Sequence, residues 1–145
     1  MSDDSYEVFR YPIQIKERHL DTFGHVNNAV YLEMFEEARW EFISERDYSL
    51  NEVKSFKKGP VVLEWNIKFK KELTLRDTIT IESQTLSYQG KIGKLRQDIV
   101  DSEGHLICEG RMVFGLFDTV ARKLVEPTPE WLYAIGVHKH LEKSS

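Results

Sequence analysis

The sequence predicts an α+β fold, with one long central helix wrapped by an antiparallel sheet of five or six strands. Three observations carry this. A helical hydrophobic period runs over about residues 28–46. The period becomes two from Pro60 to Phe117. The breaks between the later period-two segments are only a few residues long, which suits antiparallel neighbours and is too short for parallel crossovers.

Taken in order, Tyr11, Ile13 and Ile15 alternate with Gln14 and Lys16, a strand of about residues 8–18. A loop from His19 to Asn27 follows. In the helix, Tyr31, Leu32, Met34, Phe35, Ala38, Phe42 and Ile43 share one broad face, opposite Glu33, Glu36, Glu37 and Ser44. Asn27 or Asn28 caps it, and the early glutamates suit its positive end. Trp40 falls on the polar side, an exception to the pattern. Val61, Leu63, Trp65, Ile67 and Phe69 alternate with Val62, Glu64, Asn66, Lys68 and Lys70 in the cleanest strand. Strands over 78–88, 92–101 and 106–117 come next, turning at Gln89-Gly90-Lys91 and Ser102-Glu103-Gly104. The last turns Cys108, Met112, Phe114 and Leu116 inward. The outer face, with Val62, Ile107 and Val113 among polar residues, favours a dimer or higher oligomer. A short helix is expected over about 130–141, and residues 1–5 and 140–145 are expected to be loose.

The chain has 145 residues, 20 Lys+Arg against 24 Asp+Glu, and 41% hydrophobic residues, the profile of one globular domain. A net charge of −4 argues against general nucleic-acid binding, which needs a basic face. No apolar run spans a membrane, and the acidic start does not resemble a signal peptide. The single cysteine, Cys108, is read as a small core residue and excludes an intramolecular disulfide, so a cytoplasmic setting is expected. Serine-hydrolase, phosphate-loop and H-E-x-x-H motifs are missing. His138-x-His140 is read as a solvated helix end rather than a metal site, and no metal or cofactor is expected.

The informative stretch is the run from His19 to Asn28. Asp21 is a loop carboxylate available as nucleophile or general base. Asn27 and Asn28 mark a helix N-terminus, whose unpaired N–H groups favour an oxyanion. His25 can hold a proton near neutral pH. The same residues also suit a plain turn, a helix cap and a solvated histidine.

The run D-x-x-G-H-V-N-N-A-x-Y-L from Asp21, followed by Glu36-Glu37-Ala38-Arg39-Trp40, resembles the 4-hydroxybenzoyl-CoA thioesterase class of the hotdog-fold superfamily. It is similar to bacterial long-chain acyl-CoA thioesterases of the thioesterase III type. The resemblance implies a hotdog fold and hydrolysis of a fatty or aromatic acyl-CoA to free acid and coenzyme A, with coenzyme A present only as part of the substrate. It implies Asp21 as catalytic carboxylate, the Asn28 N–H as the group polarising the thioester carbonyl, and His25 as a helper. It also implies a homodimer or homotetramer with sites between subunits, where Lys58, Gly59 and Pro60 reach the neighbour's site. Phe23, Asn27 and Tyr31 are candidate substrate contacts, with Phe35, Trp65 and Phe69 beside the acyl chain. Plant acyl-carrier-protein thioesterases have a similar run with asparagine where Phe23 stands here, so that asparagine has no counterpart. An acyl-carrier-protein thioesterase and a non-catalytic acyl-CoA-binding module are the alternative functions.

Overall fold

The computed structural model describes residues 6–138. The expected loose ends, His140 and residues 139–141 of the helix expected over 130–141 lie outside that range; within it that helix is shorter than expected and ends at Ala134, with Gly136 at φ +75° just beyond. The elements are β1 (Val8–Gln14), a 3-10 turn (Glu17–His19), α1 (Asn28–Glu45), α2 (Leu50–Phe56), β2 (Lys58–Phe69), β3 (Thr78–Gln89), β4 (Ile92–Asp101), β5 (Leu106–Asp118), β6 (Lys123–Val125) and α3 (Pro129–Ala134). The sheet runs β1-β3-β4-β5-β2, with β6 also on β5, and every pairing is antiparallel. The long β2 is therefore an edge strand. No helix of the described residues is long and apolar enough to cross a membrane.

Asn27 starts α1, its side-chain oxygen accepting the Ala29 N–H at 2.9 Å. The first turn holds no acidic residue, so the glutamates of α1 begin too far along to meet its positive end. Six of the seven residues assigned to the inner face are buried; Leu32, at the edge of that stripe, is exposed. Two apolar clusters line the face between α1 and the sheet. One gathers Ile15, Tyr31, Phe35, Ile81 and Ile99 around the first half of α1. The other gathers Ile43, Tyr48, Phe114 and Trp131 around the second half.

A polar layer separates the clusters. Gln97 is 0% exposed. Its Nε2 donates to the Phe35 carbonyl at 3.0 Å and to Ser83 Oγ at 2.9 Å, and its Oε1 accepts from Arg39 at 2.9 Å. A buried amide satisfied on both ends pins the middle of α1 to β3 and β4 at one register. Gly110 on β5 lets the sheet close over it. A Cβ there would stand 2.7 Å from the Gln97 carbonyl oxygen and 3.0 Å from the Trp65 ring. Gly110→Ala is expected to destabilise the fold by about 1–3 kcal/mol, seen as a lower urea midpoint with unchanged slope.

Three strand readings need correction, each at a register shift. Leu63, expected inward, is 45% exposed because β2 bulges between Val62 and Glu64. Before the bulge, Val62 faces Phe114 and Pro60 faces Leu116, so Val62 belongs to the helix side and not to the outer face. Ile107, also expected outward, is buried beside Cys108, because Ile99 pairs with Cys108 and Val100 with Leu106, leaving Ile107 as the extra residue. In β3 the shift falls at Leu86, which turns outward while Thr85 and Tyr88 turn inward.

Candidate active site

The loop before α1 is fixed by its own backbone. Leu20 and Val26 form an antiparallel bridge, and the Asp21 N–H donates to the His25 carbonyl at 2.9 Å. Gly24 sits at φ +79°, a conformation that costs other residues, and its N–H donates to the Asp21 carbonyl. The Asp21 side chain folds over this turn: Oδ1 accepts the Phe23 N–H at 2.9 Å and the His25 N–H at 3.1 Å. The His25 amide chiefly holds the carboxyl below the ordinary aspartate range, assisted by Phe23 and opposed by slight desolvation. Asp21 is exposed and ionised, with Oδ2 free of any partner among the described residues.

Two turns of chain further on is the donor. The Ala29 N–H is taken by Asn27 Oδ1, and those of Val30 and Tyr31 by the Asn27 carbonyl. The Asn28 N–H, at the head of the 18-residue helix, is left without an acceptor among the described residues. A free amide at the positive end of a helix, close in sequence to an ionised carboxylate, suits a reaction that builds negative charge on a carbonyl oxygen.

The other expected residues are placed as follows. His25 Nε2 lies 3.3 Å from Glu72 Oε1. Phe23 is 83% exposed at the tip of the loop. Tyr31 is buried edge-on against Phe69, with centroids 5.0 Å apart, and Phe35 meets Trp65 likewise. None of these four rings lines the cavity along the second half of α1. Lys58, Gly59 and Pro60 stand at the far end of β2, separated from Phe69 by eleven residues of strand, about 36 Å. Within one chain they do not meet Asp21. His138 is 3.0 Å from Glu7 Oε2. Cys108 is buried, its thiol pushed up to about 11 chiefly by that burial.

Pro60 and a set of residues that the sequence did not flag for the site line a cavity of about 200 Å³ along the second half of α1. Glu36, Arg39, Trp40 and Ile43 face it from the helix, Pro60 and Val62 from β2, and Trp131 from α3. The off-pattern Trp40 was its one sequence signal: with Glu36 and Ile43 it forms a second stripe at i, i+4, i+7.

The turn itself has a twin. Asp101-Ser102-Glu103-Gly104-His105 repeats the D-x-x-G-H of Asp21–His25. Asp101 Oδ1 accepts the Glu103 and His105 N–H groups at 2.9 Å each, and Gly104 is at φ +85°. That copy joins two strands and faces no helix N-terminus. What distinguishes Asp21 is the helix that follows it.

The chain is 36% identical over 112 residues to the long-chain acyl-CoA thioesterase FadM of Escherichia coli, covering 77% of this chain and 84% of that protein. It is 24% identical over 116 residues to the acyl-CoA thioester hydrolase YbgC of Shigella flexneri, covering 80% and 87%. The crystal structure of YbaW, a probable thioesterase from Escherichia coli, superposes with a TM-score of 0.77 at 31% identity, over 90% of this chain and 98% of that one. A hypothetical protein from Staphylococcus aureus, solved in complex with CoA, shares the fold with a TM-score of 0.82 at 19% identity, over 89% and 82%. The sequence pattern of the thioesterase-like superfamily runs through residues 15–135, from the turn before the Asp21 loop to the end of α3. The chain thus belongs to that superfamily, and its helix-in-sheet architecture is the hotdog fold of these thioesterases.

Proposed function

We propose that the protein hydrolyses fatty or aromatic acyl-CoA thioesters to the free acid and coenzyme A, using Asp21 and the Asn28 N–H. The observation that carries the site is the pairing of a free Asp21 Oδ2 with an unpaired first-turn amide; the acyl-CoA thioesterase relatives supply the substrate class. The carbonyl oxygen rests on the Asn28 N–H, and negative charge developing there is stabilised by the amide and the helix dipole. Asp21 either attacks the carbonyl carbon, giving a mixed anhydride that water then opens, or takes a proton from an attacking water. The carbon–sulfur bond breaks to release the thiolate, a fair leaving group with a thiol pKa of about 8.5. His25, aimed at Glu72, holds the loop against the segment after β2.

The active unit is read as a homodimer built on the β2 edge. An unpaired 12-residue edge strand invites a second copy. Antiparallel pairing across a two-fold axis brings the second copy's β2 start, its Lys58–Pro60 segment, toward this chain's Phe69 and Asp21 loop. A homotetramer would add contacts on the outer sheet face. A reducing cytoplasm fits the single buried thiol.

The test is thiol release across acyl-CoA chain lengths, aromatic acyl groups included, with sedimentation at the assay concentration. Release from fatty acyl-CoA by a dimer or tetramer is expected; no release from any thioester would leave a binding module. Because the Asp21 carboxyl is held low, kcat/KM is expected to stay flat from about pH 7 to pH 5. An acid limb centred above pH 5 would assign control to another group.

A further inference from the structure

The cavity beside α1 is apolar except where Glu36 and Arg39 line it. Phe114, Met112, Trp131 and Val62 present carbon to it, and Arg39 brings a guanidinium to its wall. Arg39 is half-buried, donates one hydrogen bond to Gln97 and lies 5.6 Å from the centroid of Trp65. No carboxylate lies within 4 Å of it among the described residues, and a guanidinium carries five N–H donors. A cation withdrawn from water with most of its donors unspent is costly unless a ligand supplies acceptors. Burial lowers its pKa and the nearby charge of Glu36 raises it again.

We propose that this cavity takes the distal part of the acyl chain and that Arg39 selects chains carrying a neutral acceptor oxygen, a hydroxyl or keto group. This rests on the acyl-CoA reading above and names its substrate class. Space supports it: a cavity of about 150 Å³ can hold a benzene ring, so about 200 Å³ takes a chain end with one substituent. Charge supports a neutral oxygen over a carboxylate, because Glu36 on the same wall already answers Arg39 at longer range and would repel a second anion. None of the rings Tyr31, Phe69, Phe35 and Trp65 near the first half of α1 lines the cavity, whereas Pro60 and Val62 of the edge strand β2 do. That edge is the side on which a second copy would bring its own Asp21 loop.

The experiment compares CoA thioesters of one chain length: plain, mid-chain hydroxy, mid-chain keto and ω-carboxy. The wild type is expected to favour hydroxy or keto over plain chains by about tenfold in kcat/KM, mainly through KM, as a hydrogen bond to a charged donor would give. Arg39→Met is expected to bring that ratio near one, and Arg39→Lys to recover part of it. Equal kcat/KM for plain and oxygenated chains in the wild type overturns the proposal, as does a ratio unchanged in Arg39→Met. Preference for the ω-carboxy chain overturns the neutral-oxygen assignment. Failure of the thioesterase reading is seen separately, as no thiol from any substrate. Binding of the free hydroxy, keto and plain acids, followed by the fluorescence of Trp40 and Trp131, then decides the selection by itself: about tenfold tighter binding of the oxygenated acids upholds it, and equal binding overturns it.

Discussion

Asp21→Asn is expected to lower kcat/KM for acyl-CoA hydrolysis by about a hundredfold to ten-thousandfold while leaving the fold intact. Asparagine keeps an acceptor oxygen where Asp21 Oδ1 takes the Phe23 and His25 amides, so the turn survives and only the charged, attacking oxygen is lost. Asp21→Ala removes both and confounds chemistry with loop geometry. The protein carries its own control. Asp101→Asn makes the same change in the twin turn, with the matching backbone hydrogen bonds at risk and, besides them, the contacts of Oδ2 with His105 Nδ1 at 3.0 Å and Lys71 Nζ at 3.9 Å, and is expected to leave kcat/KM within about twofold. Steady-state kinetics of both variants, with melting curves, checks this. Equal activity of Asp21→Asn and Asp101→Asn would show that Asp21, like its twin, only makes a turn.

Trp131→Ala is expected to cost about 3–5 kcal/mol. Trp131 is 1% exposed and anchors α3 between Tyr48, at 5.1 Å between centroids, and Phe114, at 6.2 Å. Its removal opens the second apolar cluster and unpins the C-terminal helix from α1. Trp131→Phe separates packing from polarity. The indole N–H lies beside the Tyr88 hydroxyl, yet neither makes a well-formed hydrogen bond, and burial chiefly holds that hydroxyl up at about 12. Losing an unsatisfied buried donor costs little, so Trp131→Phe is expected to lose under about half of what Trp131→Ala loses. Urea unfolding of the two variants reads the difference, and equal losses would assign the indole N–H a real partner.

Long regular elements were legible in the sequence because their periods repeat. The 18 residues of α1 gave the helix within a residue of its end, and β3, β4 and β5 ended within a residue of expectation. Helices α2 and α3 have seven and six residues, too few turns for a period to register. The capping signal of α2 was nevertheless present, since Ser49 and Glu52 form a capping box. Faces were lost at Val62, Leu63 and Ile107, because alternation is blind to one inserted residue, across which the two sides of a strand exchange faces. The Asp21 loop was visible as a motif, but D-x-x-G-H alone does not tell Asp21 from Asp101. Only the helix after Asn27 does so. The cavity was invisible because it is assembled from five elements far apart in sequence.

The Gln97 layer also bears on how such a chain can change over time. A substitution on one side of a satisfied polar partition has few shared neighbours with a substitution on the other. The end that carries Asp21 and the end that carries the cavity can then accumulate changes separately, with effects that add. A lineage could remodel the shape of what it accepts in Leu95, Met112 or Ile135 without disturbing the loop and helix start that act on it. The partition makes the molecule divisible for selection while it remains one packed body for folding.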